Sequence, residues 1–263
     1  MRAMRETERR TALVEHLRAD GGASVTQLAA SLEVTPSTIR RDLQRLAREG
    51  RLVRTYGGAA ISDGVPRAAR PDPHQAAKRA IARAAAGLVA DDSTIAIGSG
   101  STALAFAREI AGRRLTVITN ALDVANALLD RDGIELIVLG GVVRPRMHSM
   151  LGHLAELAAT ELRADTLFMG IGAISVDQGL MNDSVPEILI DRALRRMARS
   201  VVVLADASKF EQAAPGFVFG LEEVRTLVTD DGARPETLAA VRRRGVEVVV
   251  AGADTSAAGN GSR

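Results

Sequence analysis

A run of hydrogen-bonding side chains near the N-terminus has the chemistry to read or hold a nucleic acid. Ile39, Leu43 and Leu46 recur at i, i+4 and i+7, which is the spacing of a buried helix face. Hydroxyls and glutamine can bond to base edges, and arginine can fork to guanine or hold phosphate. The face opposite the apolar one carries such groups: Ser37, Thr38, Arg40, Arg41, Gln44 and Arg45.

The residues before this face predict the rest of a helix-turn-helix. Ser24 can cap a short helix that ends near Ala30, because its hydroxyl can accept a bond from an amide of the first turn. Leu32–Val34 is predicted to form the turn. Thr35 and Pro36 then open the second helix as its cap and first residue, where the missing proline N–H costs nothing. A polar, basic second helix after a tight turn is the geometry of DNA recognition.

Two short runs after the helix predict a β-hairpin wing. Gly50 is expected to end the helix, and Arg51–Arg54 and Gly57–Ile61 flank a short turn. Arg54 and Tyr56 would then approach the DNA backbone or the minor groove. The alternatives are a protein–protein module and a solvated arginine-rich face. The predicted DNA contacts are Thr35, Ser37, Thr38, Arg40, Arg41, Gln44, Arg45, Arg54 and Tyr56.

A second candidate chemistry, phosphate binding, lies at Gly98-Ser99-Gly100-Ser101-Thr102. The glycines would let a ligand approach the backbone, and the helix predicted to follow would offer its unpaired first amides. A simple chain turn is the alternative. Ligands of open α/β sheets bind beyond the carboxyl ends of the strands. Candidates in such positions are Asn120, Gly140, Gly141, Asp206 and Lys209.

Apolar, β-branched runs alternate with helical stretches through the larger part of the chain. This alternation predicts a doubly wound, mostly parallel, Rossmann-like α/β sheet. We therefore expect a winged helix-turn-helix domain at 5–60, a linker at 61–75, an α/β effector-sensing domain at 76–251 and a disordered tail at 252–263. The seven runs are Ser93–Ile97, Leu115–Thr119, Ile134–Leu139, Thr166–Ile171, Val201–Ala205, Thr226–Thr229 and Val246–Val250.

Charge is distributed unevenly over the 263 residues. Residues 1–79 contain 15 Lys and Arg against 9 Asp and Glu, a net charge of +6, whereas residues 80–263 contain 19 against 23, a net charge of −4. A basic first part suggests a polyanionic partner. The absence of cysteine excludes disulfides and thiolate sites. Without an apolar run of about 20 residues or a signal-peptide pattern, we expect a cytoplasmic protein with no membrane partner.

Two blocks in the first sixty residues give a family resemblance. Thr35-Pro-Ser-Thr-Ile-Arg-Arg-Asp-Leu43 and Arg54-Thr-Tyr-Gly-Gly-Ala59 resemble the recognition helix and wing of the DeoR family of bacterial transcriptional regulators. Three later blocks resemble the sensor domain of that family, so that the likeness covers residues 5–251. They are Ile118-Thr-Asn-Ala-Leu122, Leu139-Gly-Gly-Val-Val-Arg144 and Ala205-Asp-Ala-Ser-Lys-Phe210.

The resemblance implies a regulator, most simply a repressor of a sugar or polyol catabolic operon. Its partners would be double-stranded operator DNA, a phosphorylated sugar or related metabolite, and further copies in a homodimer or homotetramer. The sensor would resemble ribose-5-phosphate isomerase in fold, without a cofactor or metal. Ser99–Thr102 would hold the phosphate, with Asp206 and Lys209 on the sugar side. Glu187 lies where the family commonly has a glutamate.

An active isomerase fused to a DNA-binding domain is the alternative from the enzyme class. Moving a proton at a sugar carbon needs a carboxylate base, and Met169-Gly-Ile-Gly-Ala173 has none where the related isomerases carry aspartates. Asp177 and Glu187 remain as substitutes in that hypothesis, although we expect no catalytic residues. A DNA-bound scaffold with a vestigial pocket is the third hypothesis. The four histidines show no metal-ligand spacing.

Overall fold

The computed structural model describes residues 6–20, 23–32, 34–48, 52–55, 58–61, 72–145 and 147–252. The chain divides into two compact units, Met1–Asp72 and Pro73–Arg263. Residues 62–71 of the predicted linker, residues 253–263 of the predicted tail, and Gly50 and Tyr56 lie outside the described residues.

The N-terminal unit contains three helices and a small antiparallel sheet. Strands β2 and β3 form the predicted hairpin, and β1 pairs with β3 to add a third strand. Leu17, Leu28, Ile39, Leu43 and Leu46 are fully buried in one core. The elements are α1 (Glu6–Asp20), β1 (Ala23–Ser24), α2 (Val25–Ser31), α3 (Pro36–Arg48), β2 (Leu52–Thr55) and β3 (Gly58–Ile61).

The C-terminal unit continues the chain as alternating helices and strands. Its described helices are α4 (Gln75–Ala86), α5 (Ser101–Glu109), α6 (Leu122–Leu128), α7 (His153–Glu161), α8 (Val185–Met197) and α9 (Pro235–Arg243). Its described strands are β4 (Thr94–Ile97), β5 (Leu115–Thr119), β6 (Ile134–Val138), β7 (Val142–Arg144), β8 (Ser149–Leu151), β9 (Ala164–Met169), β10 (Ala173–Ser175), β11 (Gly179–Asn182), β12 (Ala198–Leu204), β13 (Gly216–Phe219), β14 (Thr226–Asp230) and β15 (Glu247–Ala251).

Seven of these strands form one parallel sheet in the order β15-β14-β12-β9-β4-β5-β6. Alternate residues of the central strands enter two separate cores. Ile95 and Phe168 pack on the side of α4 and α5, and Ala96 and Leu167 pack on the side of α8. Burial on both faces explains the β-branched, nearly continuous apolar strands. The predicted doubly wound α/β class is confirmed, and each of the seven predicted runs provides a strand of this sheet.

Two antiparallel additions were not predicted. Strands β7 and β8 form a two-stranded ribbon, and β10, β11 and β13 form a three-stranded sheet in that order. Each of these strands has only three or four residues. So short a stretch contains too few positions to establish an alternating pattern.

Candidate DNA-binding and effector sites

Helix α3 presents a polar face over a closed apolar core. Ile39, Leu43 and Leu46 are completely buried, as their spacing predicts. Arg40, Arg41, Gln44, Arg45 and Ser37 are exposed, and Thr38 is half-buried. Six of the nine side chains that the sequence assigns to DNA therefore lie on the outer side of one helix. Arg54 lies on β2 of the hairpin.

The start of α3 is held by Thr35. The amide of Thr38 donates to Thr35 Oγ1 over 3.3 Å, the bond expected of an N-cap. The same oxygen lies 2.9 Å from the hydroxyls of Ser37 and Thr38. Its local bonds already explain Thr35 as a cap. The preceding helix α2 is closed in the same way by a capping box between Ser24 and Gln27.

Asp42 lies on α3 between these exposed side chains, but it points into the unit. It is 2% exposed. Arg9 Nε donates to its Oδ2 over 2.6 Å, and Arg10 Nε lies 3.5 Å from its Oδ1. Both arginines come from α1, so this buried ion pair fixes α3 to α1. Asp42 is part of the sequence motif, but this role was not predicted from the sequence.

The proposed phosphate loop lies where β4 ends and α5 begins. The amide of Gly98 donates to the Phe168 carbonyl over 3.0 Å, and a Cβ at Gly98 would lie 3.3 Å from the Cβ of Met169. Gly100 has φ +120°, with open space where a Cβ would be. Ser101 and Thr102 follow as the first residues of α5. The first amides of a helix have no partner within it, so the loop can present them to an anion.

Asn120 occupies the end of the neighbouring strand β5. It is 1% exposed, and its Nδ2 donates to the Met150 carbonyl over 3.3 Å. Its Oδ1 is buried without a hydrogen-bond partner among the described residues. Thr119, just before it, donates from Oγ1 to the Ile97 carbonyl over 2.7 Å. A buried acceptor that lacks a donor is costly, which makes Asn120 Oδ1 a candidate ligand contact.

The two glycines after β6 have different surroundings. Both have positive φ values, +73° at Gly140 and +108° at Gly141. A Cβ at Gly141 would lie 2.6 Å from the Leu151 carbonyl oxygen, whereas a Cβ at Gly140 would have no neighbour within 4 Å. Close packing against β8 thus accounts for Gly141 without any ligand.

Glu187 is buried in the first turn of α8, where it joins three elements. Ser149 Oγ of β8 donates to Glu187 Oε1 over 2.7 Å. Arg144 Nη1 of β7 donates to the same oxygen over 3.3 Å and to Ser184 Oγ over 2.6 Å. The strand that carries Ser149 also bonds to Asn120. Glu187 was predicted from the sequence as a site residue, but its partners Arg144 and Ser149 were not.

A second carboxyl group lies one helical turn after Glu187. Burial and, to a smaller extent, the nearby charge of Glu187 raise the pKa of Asp191 from 3.8 to about 7. The hydrogen bond from Asn182 Nδ2, 3.2 Å long, acts in the opposite direction. Asp191 is therefore protonated or ionised according to pH near neutrality.

Asp206 and Lys209 belong to a single turn after β12. Asp206 is 1% exposed, and its Oδ1 accepts bonds from the amide and hydroxyl of Ser208. Its Oδ2 is buried without a partner in the described part of the chain. Asp230 accepts a bond from the Ala207 amide over 2.7 Å and so holds the turn to β14. Lys209 is half-buried and donates to Gln212 Oε1 over 3.3 Å.

The strand order places these groups along one edge of the sheet. All seven strands are parallel, so the ends of β12, β9, β4, β5 and β6 meet there in that order. Asp206 is two strands from the proposed phosphate loop, about 10 Å, and Asn120 is one strand away on the other side. From β4 the chain runs outward through β5 and β6, and it returns to β9 on the opposite side of β4. Such a switch point is where open α/β sheets bind ligands.

Both units match known domains. Residues 9–64 match the DeoR-like helix-turn-helix domain, and residues 73–231 match the DeoR C terminal sensor domain. The chain belongs to the DeoR family. It is a DNA-binding transcriptional regulator with a sensor domain, as its sequence motifs predict.

Several curated relatives of this DeoR-family regulator are repressors. It is 32% identical to the putative aga operon transcriptional repressor of Escherichia coli O157:H7, with 94% of each chain covered. It is 34% identical to the transcriptional repressor AccR of Agrobacterium fabrum, over 86% of this chain and 90% of the relative. It is 31% identical to the glycerol-3-phosphate regulon repressor of Escherichia coli strain K12, over 86% and 92%.

Part of the regulator also aligns with solved structures. Ribose 5-phosphate isomerase A of Neisseria gonorrhoeae aligns over 51% of this chain and 52% of its own, with a TM-score of 0.39 and 18% identity. Among the described residues of the regulator, no helix is long and apolar enough to cross a membrane. The same residues contain no group of three or more His, Cys, Asp or Glu able to hold a metal ion.

Proposed function

We propose that this DeoR-family regulator is a repressor of a sugar or polyol catabolic operon that releases its operator when a phosphorylated metabolite binds the C-terminal unit. It would act in the cytoplasm as a homo-oligomer. The proposal of an effector site rests on the groups at one edge of the parallel sheet. A loop of phosphate-binding type lies there between two buried acceptors, Asn120 Oδ1 and Asp206 Oδ2, for which the described residues supply no donor. Hydroxyl groups of a phosphorylated polyol supply donors of this kind.

The effector site would bind the phosphate and the sugar hydroxyls through different groups. Ser99, Gly100, Ser101 and Thr102 would hold the phosphate through amides and hydroxyls. Asp206 and Asn120 would accept bonds from sugar hydroxyls, and Lys209 would donate to the phosphate or to a hydroxyl from its turn. An effector changes DNA binding only if its affinity differs between the two arrangements of the protein.

The relatives support the class of operon. Their names refer to the aga operon and to the glycerol-3-phosphate regulon. On the DNA side, the exposed face of α3 and the hairpin would contact the operator through Ser37, Thr38, Arg40, Arg41, Gln44, Arg45, Arg54 and Tyr56, with Thr35 contributing as the cap.

We also infer that the C-terminal unit senses its ligand without turning it over. Asp177 is exposed and pairs with Arg244 over 3.0 Å, and Glu187 is held by Ser149 and Arg144. Neither carboxylate therefore has the arrangement expected of a general base. A coupled assay with ribose 5-phosphate should detect no turnover; turnover that disappears in Asp177→Asn or Glu187→Gln would establish the isomerase instead.

An electrophoretic shift on the DNA upstream of the chain's own gene tests the regulator. We expect specific binding at moderate salt that weakens with glycerol 3-phosphate or ribose 5-phosphate, but not with inorganic phosphate or the unphosphorylated compounds. Loss of specific binding under every condition would overturn the repressor. Specific binding that ignores every phosphosugar, together with an unchanged melting temperature, would favour the vestigial pocket.

Lys209→Ala isolates the effector from the DNA. It should abolish the response to the phosphosugar and leave the affinity for DNA unchanged. The only other lysine in the chain provides the matched control, Lys78→Ala, which should keep the response. A normal response in Lys209→Ala would remove that side chain from the proposed site.

A further inference from the structure

Large apolar side chains are exposed on one part of the C-terminal unit. Eleven Leu, Val and Phe side chains are exposed among the residues that the structure describes. Seven of them lie on β7, α7, α8 and β13, between 43% and 74% exposed. We refer to these seven as the α7–α8 surface: Val142, Val143, Leu154, Leu157, Val185, Leu189 and Phe217.

Direct contacts join these four elements. Helix α7 packs against α8. Arg144, at the end of β7, donates to Ser184 at the start of α8 over 2.6 Å. Arg192 of α8 donates to the carbonyl of Phe217 over 2.6 Å, and its guanidinium lies 5.9 Å from the centre of the phenyl ring. The seven side chains therefore lie on four adjoining elements, with Val142 and Val143, as successive residues of β7, on opposite sides of that strand.

Exposure of this surface does not come from loosely held helices. The inner side of α8 is buried through Ile188, Ile190 and Leu194, and the inner side of α7 is buried through Ala155 and Ala159. On the outer side of α8, Val185, Leu189, Arg192 and Arg196 follow at i, i+4, i+7 and i+11. These four residues form a single stripe along the helix. The apolar groups of the stripe therefore face away from the packed inner side of α8.

The exposed area suits a protein partner. Seven side chains exposed to this extent present roughly 600 Å² of surface, at the upper end of what a monomer leaves uncovered. A stable protein–protein interface buries about 800 Å² on each partner. The α7–α8 surface with its polar rim is therefore large enough to form such an interface.

We propose that the α7–α8 surface is the contact between two copies of this chain, related by a twofold axis that passes beside Leu189. The charges of α8 favour a second copy over another partner. Asp183 precedes the helix and Arg196 is in its last turn, both exposed. Arg196 lies about 10 Å from Leu189 along the helix axis, and Asp183 lies beyond the opposite end of the helix. In an antiparallel pair, Asp183 of each copy meets Arg196 of the other.

Pairing of this kind also meets the requirement of the DNA. Helix-turn-helix proteins bind two half-sites as symmetric dimers, and an isologous interface needs a self-complementary surface. An apolar stripe with opposite charges at its two ends satisfies this condition. The inference is independent of the effector, because none of its residues belongs to the proposed phosphosugar site.

Sedimentation velocity of the full chain tests the surface. Leu189→Glu places two carboxylates beside the axis and should weaken self-association at least about 100-fold. Leu154→Glu should weaken it less. The matched control Leu129→Glu changes a leucine that is 68% exposed outside the surface, and it should keep the parental mass. A parental mass in both Leu189→Glu and Leu154→Glu would overturn the proposal, and so would a monomeric parent.

A charge exchange tests the antiparallel arrangement. Asp183→Arg and Arg196→Asp should each weaken association by about tenfold, and the double variant should recover it because the pair is restored with its charges reversed. Failure of the double variant to recover would overturn the arrangement. Thermal shifts with glycerol 3-phosphate on the same variants should match the parent, which separates this proposal from the proposed effector site.

Discussion

The N-terminal unit keeps its candidate functional side chains outside, whereas the C-terminal unit buries many of its own. Arg40, Arg41 and Gln44 are exposed on the outer face of one helix, but Asn120, Glu187 and Asp206 are at most 3% exposed at loop ends and a helix start. The different sizes of the two proposed ligands would account for this difference. A duplex must meet groups that protrude, while a small molecule must be surrounded and leaves its contacts buried after release.

Buried carboxylates sharpen this comparison. In the N-terminal unit Asp42 is bonded by Arg9 and lies near Arg10. In the C-terminal unit Asp191 is bonded by the neutral amide of Asn182 and lies beside the acidic Glu187. A buried acid with cations is a structural tie, and one without them responds to pH.

Asp191→Asn should give the largest change. The pKa of Asp191 is about 7 in the folded chain and 3.8 ordinarily, so the folded state binds this proton more tightly. As the pH rises from about 4 to about 7, ionisation of Asp191 therefore lowers the free energy of unfolding. The full loss, about 4 kcal/mol, is reached above pH 7. The variant should be more stable than the parent at pH 8 and similar at pH 4. The measurement is urea unfolding of the variant and the parent at both pH values. The same difference in stability between the two proteins at pH 4 and at pH 8 would contradict this prediction.

Asp42→Ala should destabilise the N-terminal unit by about 3 kcal/mol, because it removes the buried carboxylate that bonds to Arg9 of α1. Operator binding should be lost with the fold of that unit. Hydrogen exchange of the α3 amides measures the loss, and the amides of the parallel sheet serve as the internal control. Protection of α3 equal to that of the parent would show that the ion pair does not anchor the helix.

Gly141→Ala should cost about 2 kcal/mol, since its Cβ would meet the Leu151 carbonyl in a left-handed conformation. The adjacent Gly140→Ala has the same sign of φ and open space, so it should cost only about 1 kcal/mol. Thermal melts of the two variants give the difference. Equal losses would mean that conformation alone, and not the contact with β8, requires glycine.

Arg40→Ala and Arg41→Ala should give the smallest change in free energy, about 1 to 2 kcal/mol of operator affinity, or roughly tenfold. The fold should be unaffected, because both side chains are exposed. Fluorescence anisotropy with labelled operator measures the affinity, and Arg199→Ala, an exposed arginine of the C-terminal unit, should bind like the parent. Unchanged affinity in both variants would remove this face from DNA recognition.

The sequence predicted what depends on neighbouring residues and missed what depends on distant ones. Caps at Ser24 and Thr35 and the buried spacing of Ile39, Leu43 and Leu46 are local, and they were confirmed. The bond between Arg144 and Glu187 joins residues 43 apart, and no periodicity signals it. The short strand that carries Ser149 has the same limitation. The domain limits and the contacts assigned to DNA and effector remain predictions.

The tie between Asp42 and α1 has a consequence for how such a regulator can change its target. The orientation of α3 is set from its inner side, through Asp42 and the apolar residues. The exposed side chains at positions 40, 41 and 44 are therefore not needed to hold the helix in place. We therefore expect substitutions at positions 40, 41 and 44 to change which operator sequence is preferred and to leave the scaffold unaltered. On that expectation, new specificities can arise by single steps from a stable ancestor, and a designer can exchange the same three positions.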